Sequence, residues 1–279
     1  LVAPDALFDF LAANRYAVEA VMHLGAISAT TETDVDLIMR VNVNLSRQLW
    51  DWCSENSVPF IYASSAATYG DGAQGFDDDS SPEALAALRP LNPYGWSKNL
   101  FDQMVARIVA DNGPTPPHWA GLKFFNVYGP NEYHKGGQQS VIPQIHRQIQ
   151  SDGRARLFKS HHPDYADGGQ LRDFIWVGDC VDVMTWLLDS PDVSGIFNCG
   201  TGTARSFDDL ARAVFTAMDR EAAIDFIPTP ENIRDKYQYF TEAKMERLRL
   251  AGYDRSFTAL EDGVSSYVRD YLSAPDAYT

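Results

Sequence analysis

Val58-Pro59-Phe60-Ile61-Tyr62-Ala63-Ser64-Ser65-Ala66-Ala67-Thr68-Tyr69-Gly70, followed after a variable loop by Pro93-Tyr94-Gly95-Trp96-Ser97-Lys98, is the stretch on which the fold turns. The apolar run 58–63 has the length of a buried strand and delivers two hydroxyls, Ser64 and Ser65, to its end. The second piece opens a helix. Tyr94 and Lys98 are four residues apart, so they share one helix face. A Ser, a Tyr and a Lys can therefore converge at the carboxyl edge of a parallel sheet, where such sheets bind ligands.

A phenol with a pKa of ~10 is a poor acid-base at neutral pH, and a neighbouring ammonium lowers that value by favouring the phenolate. Tyr94 and Lys98 have the spacing for this, and Ser65 can hydrogen-bond the substrate oxygen whose proton moves. Such a set suits oxidation of an alcohol to a ketone with hydride passing to a nicotinamide. Taken alone, Tyr-x-x-x-Lys is an ordinary helix-face pair. The hydroxyl-bearing strand upstream favours the functional reading.

At 279 residues, with 45% apolar and 22% charged residues, the chain can bury a large core as one domain or two. Its net charge is -15 and no basic stripe stands out, so no nucleic-acid partner is expected. An anionic substrate would need local Arg and Lys against that background. Cys53, Cys180 and Cys199 are odd in number and form no Cys-x-x-Cys, which suggests neither a disulfide framework nor a zinc site and fits a reducing cytoplasm. No apolar run approaches the ~20 residues of a membrane span, so no membrane partner is expected.

Alternating patterns predict helix 4–13, strand 17–26, helix 34–56, a short helix 82–88, a helix from Tyr94 to about residue 111 and strand 122–127. In helix 34–56, Ile38, Val41, Leu45, Leu49 and Trp52 make a core-facing stripe, with Asn42 inside it. His23 reads as a satisfied core histidine at a strand end. The order indicates an α/β fold built on a doubly wound parallel sheet. Such a sheet opens with strand, Gly-x-x-Gly-x-x-Gly and helix, yet Gly25 is the first glycine here. The expectation is therefore a fragment lacking the first βαβ unit, poorly stable and inactive as it stands. Beyond residue 130 lie a helix at 141–150, strands near 155–158 and 224–228, a helix opened by Ser206 with Asp209 three on, and helices 245–253 and 260–272.

Ala63-Ser64-Ser65-Ala66-Ala67-Thr68-Tyr69-Gly70, Asn92-Pro93-Tyr94-Gly95-Trp96-Ser97-Lys98 and Phe125-Asn126-Val127-Tyr128-Gly129-Pro130 resemble the extended short-chain dehydrogenase/reductase superfamily, the NAD-dependent epimerases and dehydratases. His134-Lys135-Gly136, Arg172-Asp173-Phe174 and Lys236-Tyr237-Gln238 narrow the resemblance to epimerases of a nucleotide-activated heptose. It runs from about residue 17 to 271. It implies a Rossmann-like domain over 1–130, with 173–199 packing back onto it, and a smaller α/β substrate-binding domain over 131–172 and 200–279.

The resemblance also implies roles. Tyr94 and Lys135 are the two acid-bases on opposite faces of the sugar, Ser65 the hydrogen-bonding partner, and Lys98 the tuner of Tyr94. Leu24, Gly25, Ala26, Ile27, Ser28, Asn42, Lys98, Val127 and Lys135 line the cofactor, NADP with NAD as the alternative. Ser65, Asn126, Gly137, Gln144, Phe158, Lys159, Ser160, His161, Arg172 and Tyr237 contact the substrate, Arg172 at its diphosphate. Two histidines and two aspartates in 159–169 match no zinc spacing, so no metal is expected. The implied reaction is inversion at C6 of the heptose through a 6-keto intermediate, for lipopolysaccharide inner-core synthesis, in a cytoplasmic homo-oligomer. A 4-epimerase or 4,6-dehydratase of another nucleotide sugar is the alternative. For a dehydratase, Ala66 and Ala67 stand where an acidic pair is wanted. A third reading is a non-catalytic nucleotide-sugar-binding remnant.

Overall fold

The computed structural model describes residues 1–234 and 238–274. In chain order its strands are β1 (Val21–His23), β2 (Phe60–Ser65), β3 (Trp119–Phe124), β4 (Asn126–Tyr128), β5 (Ala155–Phe158), β6 (Leu171–Trp176), β7 (Gly195–Cys199), β8 (Ala204–Ser206) and β9 (Ile224–Ile227). Its helices are α1 (Leu7–Ala13), α2 (Val35–Ile38), α3 (Leu45–Asn56), α4 (Pro82–Ala87), α5 (Pro93–Ala110), α6 (Val141–Asp152), α7 (Val177–Leu188), α8 (Phe207–Ala217), α9 (Glu231–Arg234), α10 (Glu246–Leu250) and α11 (Leu260–Ser266). The chain forms two compact units. One is Leu1–Gly70 with Asp78–Lys123 and Met184–Phe197; the other is Asp71–Asp77 with Phe124–Val183 and the residues from Asn198 onward.

The first unit is built on the sheet β1-β2-β3-β7. β1 and β2 run parallel, with Val21 opposite Phe60 and His23 opposite Tyr62. The strand expected at 17–26 is thus only three residues long. The helix expected at 34–56 forms, but residues Met39–Asn44 widen into a π-helical turn. Asn42 sits in that turn, fully buried. Helix α5 starts on a cap, Asn92, whose side chain accepts the Gly95 N–H at 2.8 Å. Gly95 is required there, because a Cβ would lie 2.6 Å from the Ala67 carbonyl oxygen. The helix is thereby pressed against the turn that follows Ser65. Trp50 packs edge-on against Phe60 and Trp119, and Tyr62 against Phe101 at 4.9 Å, so aromatic contacts fill this core.

Within that core lies an ion pair. Lys123 Nζ stands 3.1 Å from Asp102, with both side chains essentially inaccessible to water. The Asp102 carboxylate also accepts from Tyr62 Oη at 3.0 Å and Ser64 Oγ at 2.7 Å. Lys123 donates to Thr68 Oγ1 at 2.8 Å and lies over the Tyr69 ring. Thr68 in turn donates to the Ser65 carbonyl at 2.8 Å. Every charge is met by partners, as burial demands.

The second unit holds two smaller sheets. β4 and β6 run parallel with Asn126 opposite Phe174, and β8 runs antiparallel to β6. β5 pairs in parallel with β9. Ile142, Ile145, Ile149, Leu157, Phe174, Leu210, Val214, Val264 and Tyr267 form one apolar core under them. Ser206 and Asp209 make the expected reciprocal cap of α8. Asp173 accepts from the backbone N–H groups of Thr201, Gly202 and Ala243, pinning two loops to β6.

The single strand expected at 122–127 breaks at Phe125. Its first half, β3, joins the four-stranded sheet, while β4 pairs with β6. For that reason 124–130, 173–183 and 198–199, together with 71–77, fall outside the first unit, although residues 1–130 with 173–199 were expected to form it. The described part is a mixed α/β fold with parallel sheets.

The buried pair gives a test of this packing. Asp102→Asn leaves the Lys123 ammonium without its counter-charge and is expected to cost about 3–5 kcal/mol in urea unfolding. The double replacement Asp102→Leu with Lys123→Met is expected to cost clearly less than that single change.

Candidate active site

Ser65 ends β2 in extended geometry and its hydroxyl accepts the Ala67 N–H at 3.1 Å, opening a short 3-10 turn. Tyr94 stands in the first turn of α5, near enough to the Ser65 hydroxyl for that hydroxyl to act on its ionisation. Lys98 is buried one turn later and its Nζ donates to the Ala63 carbonyl at 2.7 Å. The three residues read from the sequence therefore meet at the carboxyl end of β2.

Their electrostatics differ from the simple expectation. The Tyr94 phenol is raised above its ordinary value, first by burial, with the Asp102 charge adding to the rise and the Ser65 hydrogen bond opposing it. Lys98 is not what sets that value. Its own ammonium is lowered to about 8 by burial, against the attraction of Asp102. The expected lowering of Tyr94 is thus corrected to a rise, with desolvation of the phenolate as its largest cause.

The turn expected to line a cofactor follows β1. Leu24, Gly25 and Ser28 are exposed, and Ala26 and Ile27 half-buried. Asn42 grips this turn at both polar atoms of its amide: it accepts the Ile27 N–H at 2.8 Å and donates to the Ile27 carbonyl at 3.0 Å. The same amide donates to Ser97 Oγ at 2.9 Å, and Ser97 donates to the Tyr94 carbonyl at 2.7 Å. Asn42 therefore ties the turn to helix α5, which carries Tyr94 and Lys98, its amide being fully buried. His23 is a satisfied core histidine as read, sharing a hydrogen bond with Ser46 at 2.9 Å. Its pKa is lowered to about 4 by burial and by the Lys98 charge; Lys98 is bonded to Ala63, the residue after Tyr62, which pairs with His23 at the end of β1.

The remaining sites expected to meet ligands lie in the second unit. Lys135 is exposed in a 3-10 turn, Tyr133–Gln138, and Gly137 is exposed beside it. Asn126 is exposed and Val127 half-buried on β4. Gln144 and Phe158 line one cavity of about 200 Å³ with Gln148, Arg156, Gln170 and Phe207. Arg172 lies over the Phe207 ring, 5.7 Å from its centroid. Its guanidinium also donates to the backbone carbonyls of Leu171 and Gln238, so it is held by protein rather than extended into solvent. Lys159 bonds through its backbone to Ile227 and Thr229, Ser160 N–H to Asp167 at 2.8 Å, and His161 N–H to Tyr239 Oη at 2.9 Å. The Ser160 contact folds the 159–169 loop on itself, and the others tie it to Ile227, Thr229 and Tyr239. Tyr237 lies outside the described residues.

Asp102 and Lys123 were missed in the sequence, though signals existed. Asp102 follows Lys98 by four residues on the same helix face, and Lys123 interrupts an apolar strand.

A helix-borne Tyr and Lys joined to a strand-end Ser define a class. The chain belongs to the NAD dependent epimerase/dehydratase family, which it matches over residues 1–200. It is 57% identical over 261 residues to the ADP-L-glycero-D-manno-heptose-6-epimerase of Nitratidesulfovibrio vulgaris, a match covering 94% of this chain and 79% of that one. With the enzyme of the same name from Fusobacterium nucleatum it shares 46% identity over 282 residues, 98% of this chain and 84% of the other. The solved structure of Helicobacter pylori ADP-L-glycero-D-manno-heptose-6-epimerase shares the fold, with a TM-score of 0.75 at 24% identity over 98% of this chain and 77% of that chain.

The family implies a nicotinamide cofactor, and the residues of the first unit fit one in part. The small-residue turn 24–28 is open, its backbone is fixed by Asn42, and a buried cation, Lys98, stands near it. A glycine-rich cradle for the pyrophosphate has no counterpart in the sequence given.

The Lys98 shift sets a pH dependence. An unfolded lysine titrates at ~10.4. Between about 8 and that value the unfolded chain binds the extra proton, so the cost of burying Lys98 is full below pH 8 and fades as pH rises. Lys98→Met is therefore expected to lose ground in stability relative to the parent as pH rises from about 8 to 10, measured by urea unfolding at several pH values.

Proposed function

We propose that the protein inverts C6 of ADP-D-glycero-D-manno-heptose to give ADP-L-glycero-D-manno-heptose through a 6-keto intermediate, with NADP as its cofactor and NAD as the alternative. The observation that supports this reading above others is the 57% identity, over 94% of the chain, to an enzyme of that name. The meeting of Ser65, Tyr94 and Lys98 supplies the matching chemistry.

A nicotinamide held beside the 24–28 turn would supply the hydride acceptor, and then the hydride donor, that inversion at C6 needs. Tyr94, acting as its phenolate, takes the hydroxyl proton of one epimer as the C6–H bond breaks, leaving the ketone. Ser65 holds that oxygen by a hydrogen bond. Lys98 supplies positive charge to the site and fixes the β2 end through Ala63. For the other epimer Lys135 serves as the acid-base, since returning the hydride to the opposite face needs a proton donor there. That assignment of Lys135 rests on its sequence setting, His134-Lys135-Gly136. A lysine is a competent acid-base when desolvated, because burial lowers its pKa. Arg172, Gln144 and Phe158, gathered about one cavity and the Phe207 ring, are the proposed binding set for part of the nucleotide-sugar. The cavity is below the ~300 Å³ of whole-ligand pockets, so it suits one moiety.

Among the described residues no helix is long and apolar enough to cross a membrane. All three cysteines are free thiols, in keeping with a reducing compartment, and the cytoplasm is the proposed setting, with a homo-oligomer as the assembly.

The test is an assay of the full reading frame with ADP-D-glycero-D-manno-heptose, following inversion at C6 by NMR. Turnover of UDP-galactose or a dTDP-sugar instead would move the protein to another branch of the family. Tyr94→Phe and Lys135→Ala are each expected to lower kcat by about 10²–10⁴-fold. Epimerisation that survives Lys135→Ala would remove the second acid-base from the scheme.

A further inference from the structure

Glu132 is buried, at 5% exposure, three residues before Lys135. Its carboxylate is met by three donors: the Ser140 N–H at 2.5 Å, Ser140 Oγ at 2.6 Å and Tyr267 Oη at 2.8 Å. Its backbone carbonyl accepts the Lys135 N–H at 3.0 Å. One residue thus joins the two ends of the 132–140 loop and pins them to Tyr267, a fully buried member of the second unit's core.

The loop between those ends has little packing of its own. Residues 134–138 are exposed, and nothing lies within 4 Å of where a Cβ would stand at Gly136 or Gly137. Gly136 adopts φ 54°, a left-handed conformation that frees the turn from side-chain restraint. What orients Lys135 is therefore the way the loop is closed at its base. Gln139 adds to the closure, donating to the Tyr133 carbonyl at 3.2 Å and accepting from Arg147 at 2.9 Å. A carboxylate is taken out of water only where donors replace the water, and all three donors here serve the loop base.

We propose that Glu132 is the positioning residue of the second acid-base: its carboxylate holds the 133–139 loop so that Lys135 is presented to the substrate. This rests on the reading of Lys135 given above. Glu132 touches no reacting atom. Its effect comes through geometry, where a misplacement of ~1 Å costs about 10²-fold in rate.

A plug that only stabilised the fold would slow both half-reactions alike. A positioning residue for Lys135 acts on one. The experiment is single-turnover reduction of the bound nicotinamide, started separately from each C6 epimer, in the full-length parent, Glu132→Gln, Glu132→Asp, Ser140→Ala and Lys135→Ala. Glu132→Gln is expected to lose about 10²-fold from the epimer that Lys135 deprotonates and to stay within about twofold from the epimer that Tyr94 deprotonates. Glu132→Asp should recover part of the loss. Ser140→Ala, which removes one side-chain donor and spares the carboxylate, should show a smaller loss with the same asymmetry and keeps the test open if Glu132→Gln does not fold. Tryptic cleavage after Lys135, with no substrate present, should quicken in Glu132→Gln. Equal slowing of both half-reactions, or no slowing, overturns the proposal while an asymmetric Lys135→Ala leaves the acid-base reading standing. A Lys135→Ala protein with no asymmetry overturns both.

Discussion

The buried attraction between Asp102 and Lys123 is the constraint on which the first unit's chemistry depends. It joins helix α5, which carries Tyr94 and Lys98, to strand β3. Through Ser64, Tyr62 and Thr68 the same two charges hold strand β2 and the turn after Ser65. The proposed Ser–Tyr–Lys set, drawn from a strand end and a helix, needs those two elements fixed to a fraction of an ångström. Apolar packing alone allows small slides, whereas a buried charge that loses its partner is heavily penalised. The pair thus trades stability that a hydrophobic core could supply for a single arrangement of strand, turn and helix.

Much of this was legible in the chain. Tyr94 and Lys98 announce themselves by helical spacing, and Ser65 by its place at the end of an apolar run. Those signals are local. The parallel pairing of β1 with β2 and the reciprocal Ser206–Asp209 cap are likewise written in periodicity and turn chemistry. The break at Phe125 was not. Six apolar-rich residues in a row read as one strand, and only sheet pairing shows that β3 and β4 belong to different sheets. Nor does a sequence show where an amide such as Asn42 will point. Its position in the stripe of the long helix was visible, but its two bonds to Ile27 close over fifteen residues of chain.

The protonation of Tyr94 and Lys98 shows why spacing underdetermines chemistry. Four residues on a helix place an ammonium near a phenol, which favours the phenolate. Burial disfavours both charged forms, and here it is the larger effect on each. Asp102 then acts in opposite senses. It steadies the Lys98 charge and opposes ionisation of Tyr94. Of the groups that shift Tyr94, Ser65 is the one that favours the phenolate. The serine proposed to hold the substrate oxygen thus also favours proton loss from the tyrosine.

Asp102 and Glu132 are two of the buried carboxylates held by several donors each. Each stands a few residues from a lysine of the proposed site: four from Lys98, three from Lys135. Their surroundings differ. Asp102 faces a lysine and fixes regular elements, so a salt bridge suffices to lock packed surfaces. Glu132 faces hydroxyls and a backbone N–H and fixes a loop with glycines at its tip. Neutral donors are suited to that second task, because a lysine placed there would add a cation beside Lys135 and compete with it for the substrate's charge. The chemistry of the anchor thus follows from what it anchors, and an acidic residue just before a glycine-flanked lysine becomes a feature worth reading in a sequence for its own sake.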